Sequence, residues 1–569
     1  MSSSAILGVS PVGFNTSTTL LVDGRIDFAV EEERLNREKR TRRFPAAGIS
    51  AALAHAGLKF DDVEAVAVSW NPAINLEHFN LAQSGRIRYP GEILYSVPNY
   101  LMRMSASKEA WLTEQDITYT DGNVLRTVFV DHHFAHAASF FVSPFDDAAI
   151  LTIDAFGERP CVTFSRGQAN KIERLWLQEF PHSLGAYYST FTEYCGFSPQ
   201  GDEWKLMGAS PYGNPKRFLP KLRELFTLKD DGSFEIDLNC FNHYQFHRPH
   251  YFSAKMAEHL GIPPNPIDKP LTEEYYDLAA AAQAVFEEVY THLAVALRKR
   301  TGLRRLVLAG GSALNSVANG KIAAAAGYDD LFIPPVPDDS GGSLGAAYAV
   351  HCQLRGRPRG PVLKHNFLGP AYDDKAVQAV LDRCGLRYTK LDDAAVTAAG
   401  LIADGKIIGW FQGALEFGDR ALGGRSILAD PRRAEMKDKV NALIKYREMF
   451  RPFAPAILAE AQGEYFENPA ATPFMEKVFR VRAEKRAEIP AVVHVDGSGR
   501  LQTVTAEQNG KFHKLITAFK ARTNVPVVLN TSFNVKGEPM VCSPEDALRT
   551  FFTSGLDALV IESFLLEKK

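Results

Sequence analysis

Hydrophobic positions recur in one arrangement twice along the first half of the chain. AILGVSPVGFNTSTTLLVDGRIDFAVEEERL, from Ala5, reads as an apolar strand, a Gly-containing turn, and two alternating strands joined by Asp23-Gly24, a two-residue hairpin signal. AAILTIDAFGERPCVTFSRGQANKIERLWLQEF, from Ala148, runs the same way through a turn at Gly157. Two copies of one strand-turn-hairpin unit predict duplicated α/β lobes, and backbone N–H groups in such tight turns form anion nests. RRLVLAGGSALNSVANGKI, residues 304–322, adds a buried-type strand that passes through Gly310-Gly311 into a helix. The glycine pair allows a nucleotide to approach closely, or is simply a tight turn.

The pattern then restarts. HCQLRGRPRGPVLKHNFLGP is rich in Gly, Pro and Arg and reads as a linker, after which VQAVLDRCGL is helix-like and KIIGWFQG strand-like. The expected division is a first domain over 1–355, a linker over 356–365 and a second domain over 366–569. With 569 residues the chain is too long for one core. Its formal net charge of −3 offers neither a nucleic-acid arm nor a patch for anionic membranes, so no nucleic acid or membrane partner is expected. Six scattered cysteines without a C-x-x-C pair argue against a disulfide framework or a zinc ribbon and fit a reducing cytoplasm. No run approaches a membrane span, and MSSSAILGVS carries no targeting signal.

The candidate chemistry begins at VDHHFAHAASFF. His132 and His136 are four apart and share one helix face, whereas His133 points elsewhere. Where a zincin motif needs Glu this chain has His133, which argues against a metalloprotease. Asp154 ends the core strand AAILTID, and Asp339 follows FIPPVPD; both are strand-end or turn carboxylates of the kind that face a site. The alternative is that the histidines line a helix and each Asp closes a turn. In the second half, Arg420 and Arg425 flank a loop in GDRALGGR, and Lys445, Arg447 and Arg451 cluster in KYREMFR. Guanidinium groups converging on one pocket suit an anionic substrate, although a solvated charged face has the same composition. NVPVVLNTSFNVKGEP reads as a buried strand opening into Asn530, Thr531, Ser532 and Asn534, small hydrogen-bonding side chains at a strand end. Ser543-Pro544 opens a helix as N-cap and N1.

HHFAHA, LTIDAFGE, LAGGSALN and IPPVPDDSGGSLGAA, together with GWFQGALEFGDRALGGRSIL, KYREMFRPFAPAIL and LNTSFNVKGEPMV, resemble the NodU/CmcH-type O-carbamoyltransferases, including nebramycin 5′-synthase-like enzymes. The resemblance spans nearly the whole chain. It implies an α/β protein: a duplicated actin-like domain, similar to tRNA threonylcarbamoyl transferase, followed by a YrdC-like α/β domain. It implies a metal, Fe(II) or another divalent ion, on His132, His136, Asp154 and Asp339. The second domain would make carbamoyl adenylate from carbamoyl phosphate and ATP, with Mg²⁺ accompanying ATP. Arg420, Arg425, Lys445 and Arg451 would be catalytic there, with Arg500, Asn530, Ser532 and Asn534 holding carbamoyl phosphate or the adenylate. Lys205, Gly310, Gly311 and Asn315 would contact nucleotide. Because carbamate and its adenylate hydrolyse readily, a sheltered internal channel is expected. A hydroxylated natural product is the expected acceptor and a homodimer the expected assembly.

One position departs from the family. Members carry His-Asp at the first turn, where this chain has Phe14-Asn15. If that His takes the acceptor proton, the role is vacant or passes to another group, His133 being one substitute. The segment CFNHYQFHRPHYF, residues 240–252, lines an acceptor site or belongs to the core or a lid. Among other functions, a tRNA-modifying enzyme would carry more basic surface. Hydrogenase-maturation carbamoyl transfer would need an acylphosphatase domain and C-x-x-C fingers, and a non-catalytic actin-like binding module would not keep every metal and cationic position.

Overall fold

The sequence repeat is a repeat of structure. In a computed structural model, which describes residues 4–13, 15–71, 111–118, 122–245, 248–445 and 453–568, contacts divide the chain into two units. One comprises Met1–Ala29 with Arg42–Leu363, and the other Val30–Thr41 with Lys364–Lys569.

The first unit holds two sheets of matching plan. Strands β1 (Ala5–Ser10), β2 (Ser17–Val22), β3 (Arg25–Glu31), β4 (Ala65–Val68), β5 (Leu112–Thr118) and β6 (Val124–Val130) lie in the order β3-β2-β1-β4-β6-β5. Strands β7 (Asp147–Ile153), β8 (Pro160–Gln168) and β9 (Lys171–Glu179) join later strands: after the small pair β10 (Phe226–Leu228) and β11 (Phe234–Ile236) come β12 (Arg305–Ala309) and β13 (Asp330–Phe332). Their order is β13-β12-β7-β8-β9. In each sheet the first strand of the repeat pairs antiparallel with the next and parallel with a later strand, β1 with β2 and β4, β7 with β8 and β12. The burial pattern explains this: β1 and all of β7 after Asp147 are buried, as strands covered on both faces must be. The helix Gly342–Tyr348 is buried along its whole length, and a Cβ at Gly345 would stand 1.8 Å from the Ala135 carbonyl oxygen. The segment 240–252 is mixed where it is described: Cys240, Phe241 and His243 are buried and Phe241 pairs with Phe252, whereas Arg248, Pro249 and His250 are exposed.

The second unit is built on an eight-stranded sheet. Strands β14 (Thr389–Lys390), β15 (Ile408–Phe411), β16 (Arg425–Ala429), β17 (Ala454–Leu458), β20 (Gln502–Val504), β21 (Val527–Ser532), β22 (Ala558–Ile561) and β23 (Phe564–Glu567) run in the order β14-β23-β22-β15-β16-β21-β17-β20, and β18 (Val478–Arg480) pairs with β19 (Ser498–Arg500) apart from it. Ser543 caps the helix Pro544–Thr553 in a capping box with Asp546, as its Ser-Pro start predicts. No helix of the described residues is long and apolar enough to cross a membrane.

Candidate functional site

In the first unit, Asp131 accepts the N–H of Phe134 at 2.7 Å and starts the helix His132–Ala137, which places His132 and His136 on one face. Their Nε2 atoms lie 3.1 Å apart. Asp154, at the end of β7, comes within 3.6 Å of His132 Nε2 and 3.1 Å of His136 Nε2, while Asp339 comes within 3.4 and 3.6 Å of the same atoms. All four donor atoms lie within 4.8 Å of one another. Two imidazole nitrogens and two carboxylate oxygens gathered this closely are a donor set that could hold one divalent cation. Burial opposes charge on His132, yet its hydrogen bond to Asp154 and the field of Asp339 push it up to about 10. Burial would raise Asp154, but hydrogen bonds from both histidines hold it well below the usual carboxylate range. Both shifts express one fact: this pair of carboxylates calls for positive charge between them.

The supporting shell extends beyond these four side chains. Glu158 accepts the backbone N–H of His132 at 3.0 Å and that of Asn71 at 2.5 Å, tying the helix start to the end of β4. Burial, then the field of Asp131, pushes its carboxyl up to about 8. Arg174 pairs with Asp131 and lies 4.7 Å over the Trp111 ring. His133 is 0 % exposed, bonds to Thr152 Oγ1 at 2.7 Å, and stands outside the ligand set. Burial and the two neighbouring imidazoles hold its pKa well below the ordinary value. Gly13, in the first turn, has φ 81°, and a Cβ there would lie 1.9 Å from Asp339 Oδ2, so this turn packs directly on the ligand. Phe14 lies outside the described residues.

In the second unit, Lys445 is buried at the end of a π-helical turn, Asn441–Lys445. Its ammonium donates to the Ser532 carbonyl at 2.5 Å, to Ser532 Oγ at 3.2 Å, and to the carbonyl and Oδ1 of Asn534 at 3.0 and 2.7 Å. Three residues named from sequence thus meet. Asn530 instead donates to the carbonyl of Ala421 and to Gln502, next to Arg420. Arg425 is fully buried, its ring-stacked guanidinium 3.5 Å from the Phe411 centroid, donating to the carbonyls of Gln412, Gly424, Pro370 and Gly413. Arg420 is half-buried and, among the described residues, has no hydrogen-bond or ion-pair partner. Sequence reasoning missed Glu416, whose Oε1 accepts the N–H groups of Leu422, Gly424 and Arg425 and so closes the loop around Arg420. Arg447 and Arg451 lie outside the described residues.

Two family descriptions match this chain: Carbamoyltransferase N-terminus over residues 5–348 and Carbamoyltransferase C-terminus over residues 399–568. The chain belongs to the NodU-type carbamoyltransferase family. It is similar to Nodulation protein NolNO of Sinorhizobium fredii, 37% identical over 97% of this chain and 79% of that one. It is also similar to the Synechocystis protein sll1178, 38% identical over 99% of this chain and 96% of that one. Among solved structures, HypF of T. kodakarensis has a TM-score of 0.31 and 13% identity over 62% of this chain and 48% of that one.

The remaining sequence-expected residues of this carbamoyltransferase hold protein atoms. Gly311 donates its N–H to Asp154 at 3.0 Å, and Gly310 donates to the Pro337 carbonyl. Asn315 caps the helix Ser316–Ala326 and exchanges hydrogen bonds with Gln283. Lys205 pairs with Asp202 at 2.9 Å beside the Phe197 and Trp204 rings. Arg500 ends β19 opposite Val478.

Proposed function

We propose that this carbamoyltransferase is an ATP-dependent O-carbamoyltransferase that forms carbamoyl adenylate in its second unit and carbamoylates a hydroxyl of a small-molecule natural product in its first. The observation that carries this reading is that each unit has its own chemistry: a buried two-histidine, two-carboxylate cluster in one, and in the other a buried lysine among strand-end acceptors. In the second unit water hydrolyses carbamoyl phosphate to carbamate and phosphate, and the carbamate oxygen then attacks the α-phosphorus of ATP with pyrophosphate leaving, so that attack of the acceptor hydroxyl on the carbamoyl carbon of the adenylate later releases AMP. Phosphates repel one another, so bringing them together needs fixed positive charge. Arg420, which makes no hydrogen bond among the described residues and lies beside Asp419, would supply it, and Lys445 would fix Ser532 and Asn534 where the carbamoyl group is to be held. Arg425 shapes the loop from within, and Arg451 and Arg500 remain further candidates.

In the first unit, His132, His136, Asp154 and Asp339 would hold a divalent cation, iron(II) being the family expectation; when bound, it supplies Lewis-acid polarisation of a carbonyl or phosphate oxygen. Asp131 and Glu158 hold the helix start, Gly311 orients Asp154, and Thr152 locks His133. Carbamoyl-phosphate-dependent pyrophosphate release from ATP tests the first half-reaction. Arg420→Ala should abolish it, and a screen of hydroxylated natural products for one added carbamoyl mass tests the second. Pyrophosphate release that ignores carbamoyl phosphate would sink the reading.

A further inference from the structure

Val30–Thr41 is part of the second unit although it precedes most of the first in sequence. Its helix, Glu32–Asn36, buries Glu32, Glu33 and Arg34. Arg34 is 1 % exposed and does three things with one guanidinium. It pairs with Glu31 at 2.6 Å, donates to Glu33, and donates to the carbonyl of Gly418 at 3.0 Å. Glu33 is fixed from its other side by Lys39 at 2.9 Å and by the N–H of Arg40 at 2.6 Å. A second arginine of the segment, Arg37, anchors elsewhere, on the carbonyls of Met540 and Pro539 at 2.7 and 3.0 Å.

Gly418 lies two residues before Arg420. On the far side of Arg420 the loop is closed by Glu416, which gathers three backbone N–H groups. On the near side, the Arg34 hydrogen bond to Gly418 is the tether: its two terminal nitrogens are held apart in one plane, Nη1 on Glu33 and Nη2 on Glu31 and the Gly418 carbonyl, a spread that the single nitrogen of an ammonium does not reproduce. We propose that Arg34 is a positioning residue for Arg420, holding residues 418–420 in the conformation that presents the Arg420 guanidinium to the anionic substrate of the second unit. This rests on the adenylation reading above.

The test is a double-mutant cycle on the full chain, reading the ATP dissociation constant by calorimetry for wild type, Arg34→Lys, Arg420→Ala and the double variant. Arg37→Lys, alone and with Arg420→Ala, is the control for mere loss of segment anchoring, and thermal melts confirm that each variant is folded. Arg34→Lys should weaken ATP about tenfold with Arg420 present and less than twofold without it, whereas Arg37→Lys should act by the same factor in both backgrounds. Equal factors for Arg34→Lys in both backgrounds, with carbamoyl-phosphate-dependent pyrophosphate release intact in the wild type, would overturn the positioning role alone. Absence of that release in the wild type would overturn the adenylation reading and this role with it.

Discussion

Gly311 gives its backbone N–H to Asp154 Oδ2 at 3.0 Å. The glycine pair after β12 therefore orients a carboxylate on the neighbouring strand β7, and the fit is tight: Gly310 has φ 93°, and a Cβ there would stand 2.2 Å from the Ile153 carbonyl oxygen. Gly310→Ala should lower the metal content of the purified protein and its melting temperature together, with elemental analysis and a melt as the two measurements.

Metal retention should depend on the helix face and not on the run of histidines. His136→Ala should lose metal affinity by at least tenfold, as should Gly13→Ala, whose new methyl displaces Asp339. Full occupancy in His136→Ala by elemental analysis would remove that residue from the ligand set.

The two half-reactions should separate. Asp339→Ala should still release pyrophosphate in the presence of carbamoyl phosphate but yield no carbamoylated acceptor, because Asp339 belongs to the cluster of the first unit. A folded variant that still transfers would refute metal-assisted transfer, so its circular dichroism melt is recorded alongside.

Arg425 and Arg420 should differ in kind. Arg425→Met removes the guanidinium from four carbonyls, of which Gly424 and Pro370 keep the N–H groups of Gln412 and Leu415 while Gln412 and Gly413 lose the Arg425 donor, and should cost about 2–5 kcal/mol of stability, read as a lower denaturant midpoint. Arg420→Ala should leave the unfolding stability within about 0.5 kcal/mol of the wild type.

Acid should loosen the first unit through His243. Its Nε2 donates to the Pro181 carbonyl at 2.9 Å, and burial pulls its pKa down to about 4. The unfolded chain takes up the proton near 6.5 and the folded chain does not, so this contribution is complete above about pH 6.5 and is lost as pH falls toward 4, on the order of 3 kcal/mol in all. His243→Gln should flatten the stability profile across that window; an unchanged slope would assign the acid sensitivity to other groups.

The strand repeat, the i, i+4 histidines and the strand-end aspartate were legible because periodicity and turn chemistry are local. His132, His136, Asp154 and Asp339 therefore meet as their spacing and the family resemblance implied. The nucleotide set was less legible. A glycine pair looks the same whether its N–H groups face a phosphate or, as with Gly311, a carboxylate from another strand. Arg420 and Arg425 are likewise indistinguishable in GDRALGGR, and only tertiary packing half-buries one beside Asp419 and surrounds the other with carbonyls. Asp131 before His132 was readable as an N-cap, whereas the bridge that Glu158 makes to Asn71 joins residues too far apart in sequence for any local pattern.

The assignment of Val30–Thr41 to the second unit has a consequence for recombination between relatives. A chimaera joined at the Gly/Pro/Arg-rich stretch would pair a foreign sheet with a resident helix, leaving Arg34 and Arg37 to meet carbonyls they did not evolve beside. Grafts that move residues 30–41 together with 364–569 keep those contacts within one parent, so crossovers tolerated by this chain should come in pairs, one on each side of that short helix, with a third near residue 364.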